Sequence, residues 1–303
     1  MSAATAHRGW SAEFQKAQRP AAYRALHAIA DRFEPRVRRA FLAAMEQLKG
    51  SATLRTLEEA AALGSPAAVL NALNWNEHNL YLQTMVDILR DEVTEGAAAA
   101  LGQLPTGVSS SLRFDLLNPA TAEFIRRYEF DLITAITNET RAGIQSIVLA
   151  AFEEGGHPYQ QAREIRMLIG LTERHANAVS NYWDTLVESG MPDARAEELA
   201  MRYYGQLVTA RAETIARTET IRAAGAGREA LWAQAAQQGL LSPATARRRW
   251  IVTPDDRLCA ICAAIPELNP DGVRLDQDFR TPDGYTDQEP AHPNCRCSIG
   301  LTF

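Results

Sequence analysis

One cluster limits what this chain can fold into: Cys259-x-x-Cys262 and, after 29 further residues, His292-Pro-Asn-Cys295-Arg-Cys297. These are all four cysteines of the protein, confined to its last 45 residues. From Pro254 to Phe303 prolines, glycines and aspartates are dense and no helical period is visible. A stretch of about 50 residues so poor in apolar side chains needs a staple or a neighbour to hold a core. A Cys-x-x-Cys turn brings two thiolates to one ion at tetrahedral angles, and a distant second pair completes the four-coordinate shell that zinc prefers. Five donors compete for four positions. His292 with Cys295 repeats the spacing of the first pair and is the first choice; Cys295 with Cys297 is the alternative, and the spacing leaves both open. Four protein ligands exclude water, so the expected zinc is structural rather than catalytic. Free or bridged thiols are the competing reading, which a reducing cytoplasm disfavours for bridges.

Composition excludes several classes. With 46% hydrophobic and 22% charged residues the chain can bury a real core. It has no apolar run long enough to span a membrane, and its first residues lack the pattern of a secretory signal, so the chain is expected to stay in the cytoplasm where it is made. The net charge of −6 argues against a general polyanion binder. Between Arg19 and Arg55, however, eight basic residues face three acidic ones, a local excess of five that reads first as a solvated helix face and second as a phosphate or partner contact.

The first 240 residues read as unequal helices. Pro20 suits a first turn before Ala22 to Phe33, and Pro35 restarts the pattern as Val37 to Leu48, closed by Gly50. Ser51 can cap a helix ending at Leu63 and Gly64; Ser65-Pro66 offers the next cap, and another helix covers Glu77 to about Leu101. Gly102 to Ser111 reads as a linker. Asn118-Pro119 opens the longest helical pattern, to Glu154, stopped by Gly155-Gly156. Pro158 to Ile169, Thr172 to Gly190, and Pro192 to about Gln238 follow, the last with a break expected at Gly205. Arg249 to Thr253 is β-branched and aromatic and reads as a strand, with Pro254-Asp255-Asp256 as a turn. The expected fold is therefore mainly α with a small α+β, metal-stapled C-terminal module. The expected division is 1–112 as a helical N-terminal region, 113–241 as a long-helix middle region, and 242–303 as the module.

Several separate motifs occur in an order that resembles a known family. Gly170-Leu-Thr opens a helix; Ala216-Arg217-Thr218-Glu219-Thr220, Gly227 and Trp250 follow. Then come Thr253-Pro-Asp-Asp256-Arg-Leu-Cys259-Ala-Ile-Cys262 and His292-Pro-Asn-Cys295-Arg-Cys297. Together, from about Gly170 onward, they are similar to the phage Mu F-like head-morphogenesis family, minor head proteins of tailed phages and prophages. The resemblance implies a non-enzymatic virion component at the capsid interior or portal vertex, in several copies per particle. It implies contacts with portal protein and coat or scaffolding subunits, a part in procapsid assembly, and proximity to packaged double-stranded DNA during packaging or ejection. Some relatives carry toxin or enzymatic domains after the shared part; this chain stops six residues after Cys297, so the plain structural form is expected.

Two rival functions are a nucleic-acid-binding zinc module, using Arg247, Arg248 and Arg249 on phosphate, and a zinc-dependent nuclease or toxin-like enzyme using Glu219. The first is weakened by a balance of 11 basic and 12 acidic residues from Arg211 to Phe303. The second lacks another acid, base or nucleophile at a telling distance, and the chain has no phosphate loop, GxSxG or HExxH. Charged Arg217 and Glu219 sit amid apolar Ile215, Ala216, Ile221 and Ala223, so one of them is expected to hydrogen-bond the backbone of the C-terminal module. His157 reads as a loop histidine, and His175 with Asn177 as a polar face. Tyr182-Trp183 and Tyr203-Tyr204 read as core or interface aromatics.

Overall fold

The computed structural model describes residues 21–153, 157–253 and 256–303. The N-terminal stretch with Pro20, the Gly155-Gly156 stop and the Pro254-Asp255 part of the expected turn lie outside the described residues. What is described is mainly helical, with small antiparallel ladders near the C-terminus. The helices are α1 (Ala21–Gly50), α2 (Leu54–Ala61), α3 (Pro66–Asn71), α4 (Trp75–Leu101), α5 (Thr106–Ser109), α6 (Pro119–Glu153), α7 (Pro158–Leu168), α8 (Glu173–Glu188) and α9 (Asp193–Gln237). Then come β1 (Arg247–Ile251), α10 (Ala260–Leu268), β2 (Phe279–Thr281), β3 (Gly284–Thr286) and β4 (Ser298–Thr302). Strand β1 pairs antiparallel with β4, Trp250 opposite Ile299, and β2 with β3.

Several boundaries differ from the periodicity reading. Pro35 lies inside α1 and does not divide it. An internal proline costs about 3 kcal/mol, but here Leu26, Ile29 and Phe33 before it, and Val37, Phe41 and Leu48 after it, are all buried. Thr53, not Ser51, caps α2, its hydroxyl accepting from Thr56 N–H. Ser51 instead donates to the Leu48 carbonyl and accepts from Asn74 N–H. The stretch read as a linker contains α5 and buries Leu104 just before it. Helix α9, at 45 residues, exceeds the 35 of α6 because Gly205 does not interrupt it. Conversely, α10 lies where no helix was expected. Its starting signal, a cysteine acting as N-cap before Ala-Ile-Cys-Ala-Ala-Ile, is not one of the usual cap residues.

The chain forms two compact units that are discontinuous in sequence, whereas the expected division followed chain order and composition. One comprises Arg38–Asp87 and Phe124–Glu213. Its core joins Leu48, Leu57, Val69, Ile144, Ile147, Ile165 and Val179. Buried Arg211 donates there to the carbonyls of Gly170 and Ile136 and to Thr140, with Glu139 as its counter-ion. The other comprises Met1–Val37, Ile88–Glu123 and Thr214–Phe303. Its larger core joins Leu231, Trp232 and Ala235 of α9 to Trp250, Phe279, Ile299, Cys262, Cys295 and Cys297. Trp250 meets Phe279 edge to face at 5.3 Å. Thus the apolar-poor C-terminal segment shares its core with α9.

Within this second unit α4 and α9 touch backbone to backbone. A Cβ on Gly227 would stand 1.8 Å from the Val93 carbonyl oxygen, and one on Gly96 2.1 Å from that of Ala224. Nearby Glu92 is fully buried in α4, and neither carboxylate oxygen has a hydrogen-bond partner. Burial, with Glu95 close by, pushes its pKa up to about 10 against the opposing pull of Arg32 and Arg36. The basic excess on α1 is partly matched by acids: Arg32 pairs with Glu95, Arg36 with Asp91, and Arg38 with Glu213.

Two outcomes follow for urea unfolding. Gly227→Ala should lose about 2 kcal/mol or more, since two backbones must separate. Gly205→Ala, where an added Cβ meets nothing within 4 Å, should gain up to about 1 kcal/mol from helix propensity; equal effects of the two would refute the close packing. Glu92 is protonated in the folded chain and ionised when unfolded at neutral pH. Its raised folded pKa therefore gives stability that is full below about 4.5 and lost as pH rises toward about 10. Glu92→Gln should flatten the stability profile across that window and leave the variant the more stable at pH 8.

Candidate metal centre

The cluster is assembled by two backbone devices. Cys259 is the N-cap of α10, and its Sγ accepts from the Cys262 N–H at 3.4 Å. On the other side Asn294 adopts a left-handed conformation, φ 60°, which turns the chain between His292 and Cys295 and lets Cys295 N–H bond the His292 carbonyl.

These turns bring all five donors together. His292 Nε2 lies 3.1 Å from both Cys259 Sγ and Cys262 Sγ, and Cys262 Sγ lies 3.6 Å from Cys295 Sγ. The donor atoms of Cys259, Cys262 and His292 all fall within 4.8 Å of one another, and so do those of Cys262, Cys295 and Cys297. His292 Nδ1 stands 2.9 Å from the Pro293 carbonyl, which can only accept. The proton is thereby assigned to Nδ1, and the Nε2 lone pair faces the sulfurs, the usual arrangement of a metal-binding imidazole. All four cysteines are free, three of them buried.

The electrostatics point the same way. Hydrogen bonds from Cys262 and Cys297 pull the Cys295 thiol far down, and the same contacts with Cys295 and Cys297 push Cys262 up. Packed sulfurs cannot all ionise unless a cation shares their charge. Two thiolates on a tetrahedral zinc ion stand about 3.8 Å apart, given metal–sulfur bonds of about 2.3 Å, close to the 3.6 Å separation of Cys262 and Cys295. The residues fit a soft divalent cation.

Helix α9 holds the ligand turn through two threonine hydroxyls. Thr218 Oγ1 accepts from the Asn294 backbone N–H, and Thr214 Oγ1 from the Asn294 side-chain amide, both at 3.1 Å. Arg217 pairs with Glu34 of α1, and buried Glu219 with Arg222 one turn on. Thr220 is buried and bonds the Arg217 carbonyl; Asp256 is exposed. Helix α1 also reaches the cluster: His27 Nε2 donates to the carbonyl of Arg296, between two of the cysteines, and Tyr23 bonds Thr253.

A buried ion network ties the same elements together. Arg228 of α9 grips Glu289 bidentately at 2.6 and 2.7 Å and also meets Glu229. Glu229 continues to Arg248 of β1 at 3.1 Å. Arg248 then donates to the carbonyls of Asp287, Arg274 and Gln277. Burial raises the Glu229 pKa, an effect opposed by Arg228 and Arg248. Of the three arginines considered as phosphate ligands, Arg248 is therefore sealed inside. Arg247 bonds the carbonyls of Ala244 and Ala246, and Arg249 bonds Thr302 and the Pro270 carbonyl.

Comparison with known families gives one match: a family described as Phage Mu protein F like protein aligns with residues 142–300. That span is just over half of the chain and contains α9, the cluster and the ion network. No match was found among curated proteins or solved structures.

Arg228→Met should cost about 3–5 kcal/mol in urea unfolding, because it strands the Glu289 carboxylate in a dry interior. The double replacement Arg228→Met with Glu289→Leu should recover much of that loss. If the single variant unfolds like the parent, the network does not anchor the segment.

Proposed function

Because the chain belongs to the phage Mu protein F-like family, we propose that it is a structural component of phage head morphogenesis, built into the virion during procapsid assembly. The observation that carries this reading is the extent of the family match, which takes in the whole ligand cluster and the helix that anchors it. In this reading the metal is zinc and structural. Cys259, Cys262 and His292 with a further cysteine would close its shell, leaving no position for a reacting water. The ion's contribution is to fix an irregular segment against α9 so that its loops keep one shape. Adhesion, not catalysis, is then the mechanism: exposed helical and loop surfaces bind portal, coat or scaffolding subunits near the portal vertex. The pairing of Glu219 with Arg222 and the burial of Arg248 both weigh against the enzymatic and nucleic-acid readings.

The test combines metal analysis with co-expression. Purified protein should contain about one equivalent of zinc, and the double variant Cys259→Ser, Cys262→Ser should lose both the metal and the folded C-terminal segment while keeping most of its helical circular dichroism. Co-expressed portal protein should retain the parent chain on an affinity column and release the variant. Metal-free parent protein that melts like the variant would defeat the zinc reading. Portal and coat subunits that both elute without the parent chain would defeat the assembly reading.

A further inference from the structure

The two trios of donors share one residue, Cys262. Cys259, Cys262 and His292 supply three ligands, and a closed four-coordinate shell needs one more. The second trio offers two thiols of the same chemistry for that place, Cys295 and Cys297, each only 1% exposed. They are not separated as alternate residues of a straight strand would be. The Cys297 N–H donates to Cys295 Sγ at 3.5 Å, and His27 holds the intervening Arg296 carbonyl, so both sulfurs turn toward Cys262.

We infer that Cys295 and Cys297 are interchangeable fourth ligands, one bound to the ion and the other held beside it in reserve. The inference rests on the metal reading above and adds to it which thiol completes the shell. Exchange needs no oxidant or other co-reactant. The incoming thiol releases its proton as its sulfur bonds the ion, and the departing thiolate takes one up, so the charge of the site is unchanged. Such a site survives chemical loss of either thiol, whereas loss of Cys262, which belongs to both trios, removes it.

The experiment uses the full chain and its Cys295→Ser, Cys297→Ser and double variants, loaded with cobalt(II) and then titrated with zinc. The parent should show sulfur-to-cobalt charge transfer of a three-thiolate shell. Each single variant should keep that intensity and a zinc affinity within about tenfold of the parent, and the double variant should drop to two thiolates and lose about 100-fold or more. A single variant that behaves like the double assigns the ligand to one thiol and overturns the inference, as does a four-thiolate spectrum in the parent. Failure of the parent to bind cobalt or zinc would instead remove the metal reading itself, and the inference with it. Alkylation of the metal-loaded parent followed by peptide mapping gives an answer even where a variant fails to fold. Label divided between Cys295 and Cys297 supports exchange, and label confined to one of them overturns it.

Discussion

Arg228 sits with its guanidinium between the carboxylate of Glu289 and the face of Trp232, 5.0 Å from the ring, in a position solvent does not reach. A buried charge is tolerable only if an opposite charge and hydrogen bonds stand in for its lost hydration. Here Glu289 and Glu229 meet both terminal nitrogens of Arg228, leaving only its Nε without a partner, and Arg248 neutralises Glu229. Two positive and two negative side chains therefore close on themselves across α9, β1 and the loop before the ligand turn. Such a network adds little net stability compared with a well-packed apolar core. What it adds is geometry, because any register other than this one leaves a charge alone in the interior.

The ligand cluster depends on that geometry. Its two halves come from α10 and from the His292–Cys297 turn, about thirty residues apart, and neither half could place donors for the other without a common support. Helix α9 provides it twice, through Arg228 to Glu289 just before the turn and through Thr214 and Thr218 to Asn294 within it. Helix α1 adds a third fixed point at the Arg296 carbonyl. The close approach of α4 to α9 at Gly96 and Gly227 belongs to the same design, since glycine lets the supporting helix be held by backbone contact rather than by long side chains.

Much of the architecture was legible in chain order. Thr172, Ser65-Pro66 and Pro158 mark helix starts that the structure has, because capping and proline preferences are local. The mainly helical character was readable from hydrophobic periods, and one of the short C-terminal strands from its β-branched and aromatic residues. Local rules misled at Pro35 and Gly205, whose intrinsic costs of a few kcal/mol or less are outweighed by the burial of whole helix faces. They also missed α10, capped by a cysteine. At the site, the neutral Thr218 of the shared motif meets the backbone of the ligand turn. No periodicity or spacing signals which residue of a helix meets a loop some 75 positions later.

By itself the sequence determined the kinds of chemistry available: five soft donors at spacings suited to one ion, a helical majority, and an ordered set of motifs shared with one family. These depend on residue identity and short-range spacing, which are written in chain order. Only the tertiary structure decided that Cys262 belongs to two donor trios and that Thr218 anchors the turn. It also decided that Arg228 and Glu289, 61 residues apart, form the buried pair holding the segment in place. Those outcomes are set by packing between distant parts of the chain, where desolvation makes a missing partner costly and so selects one arrangement among many that the local sequence would allow.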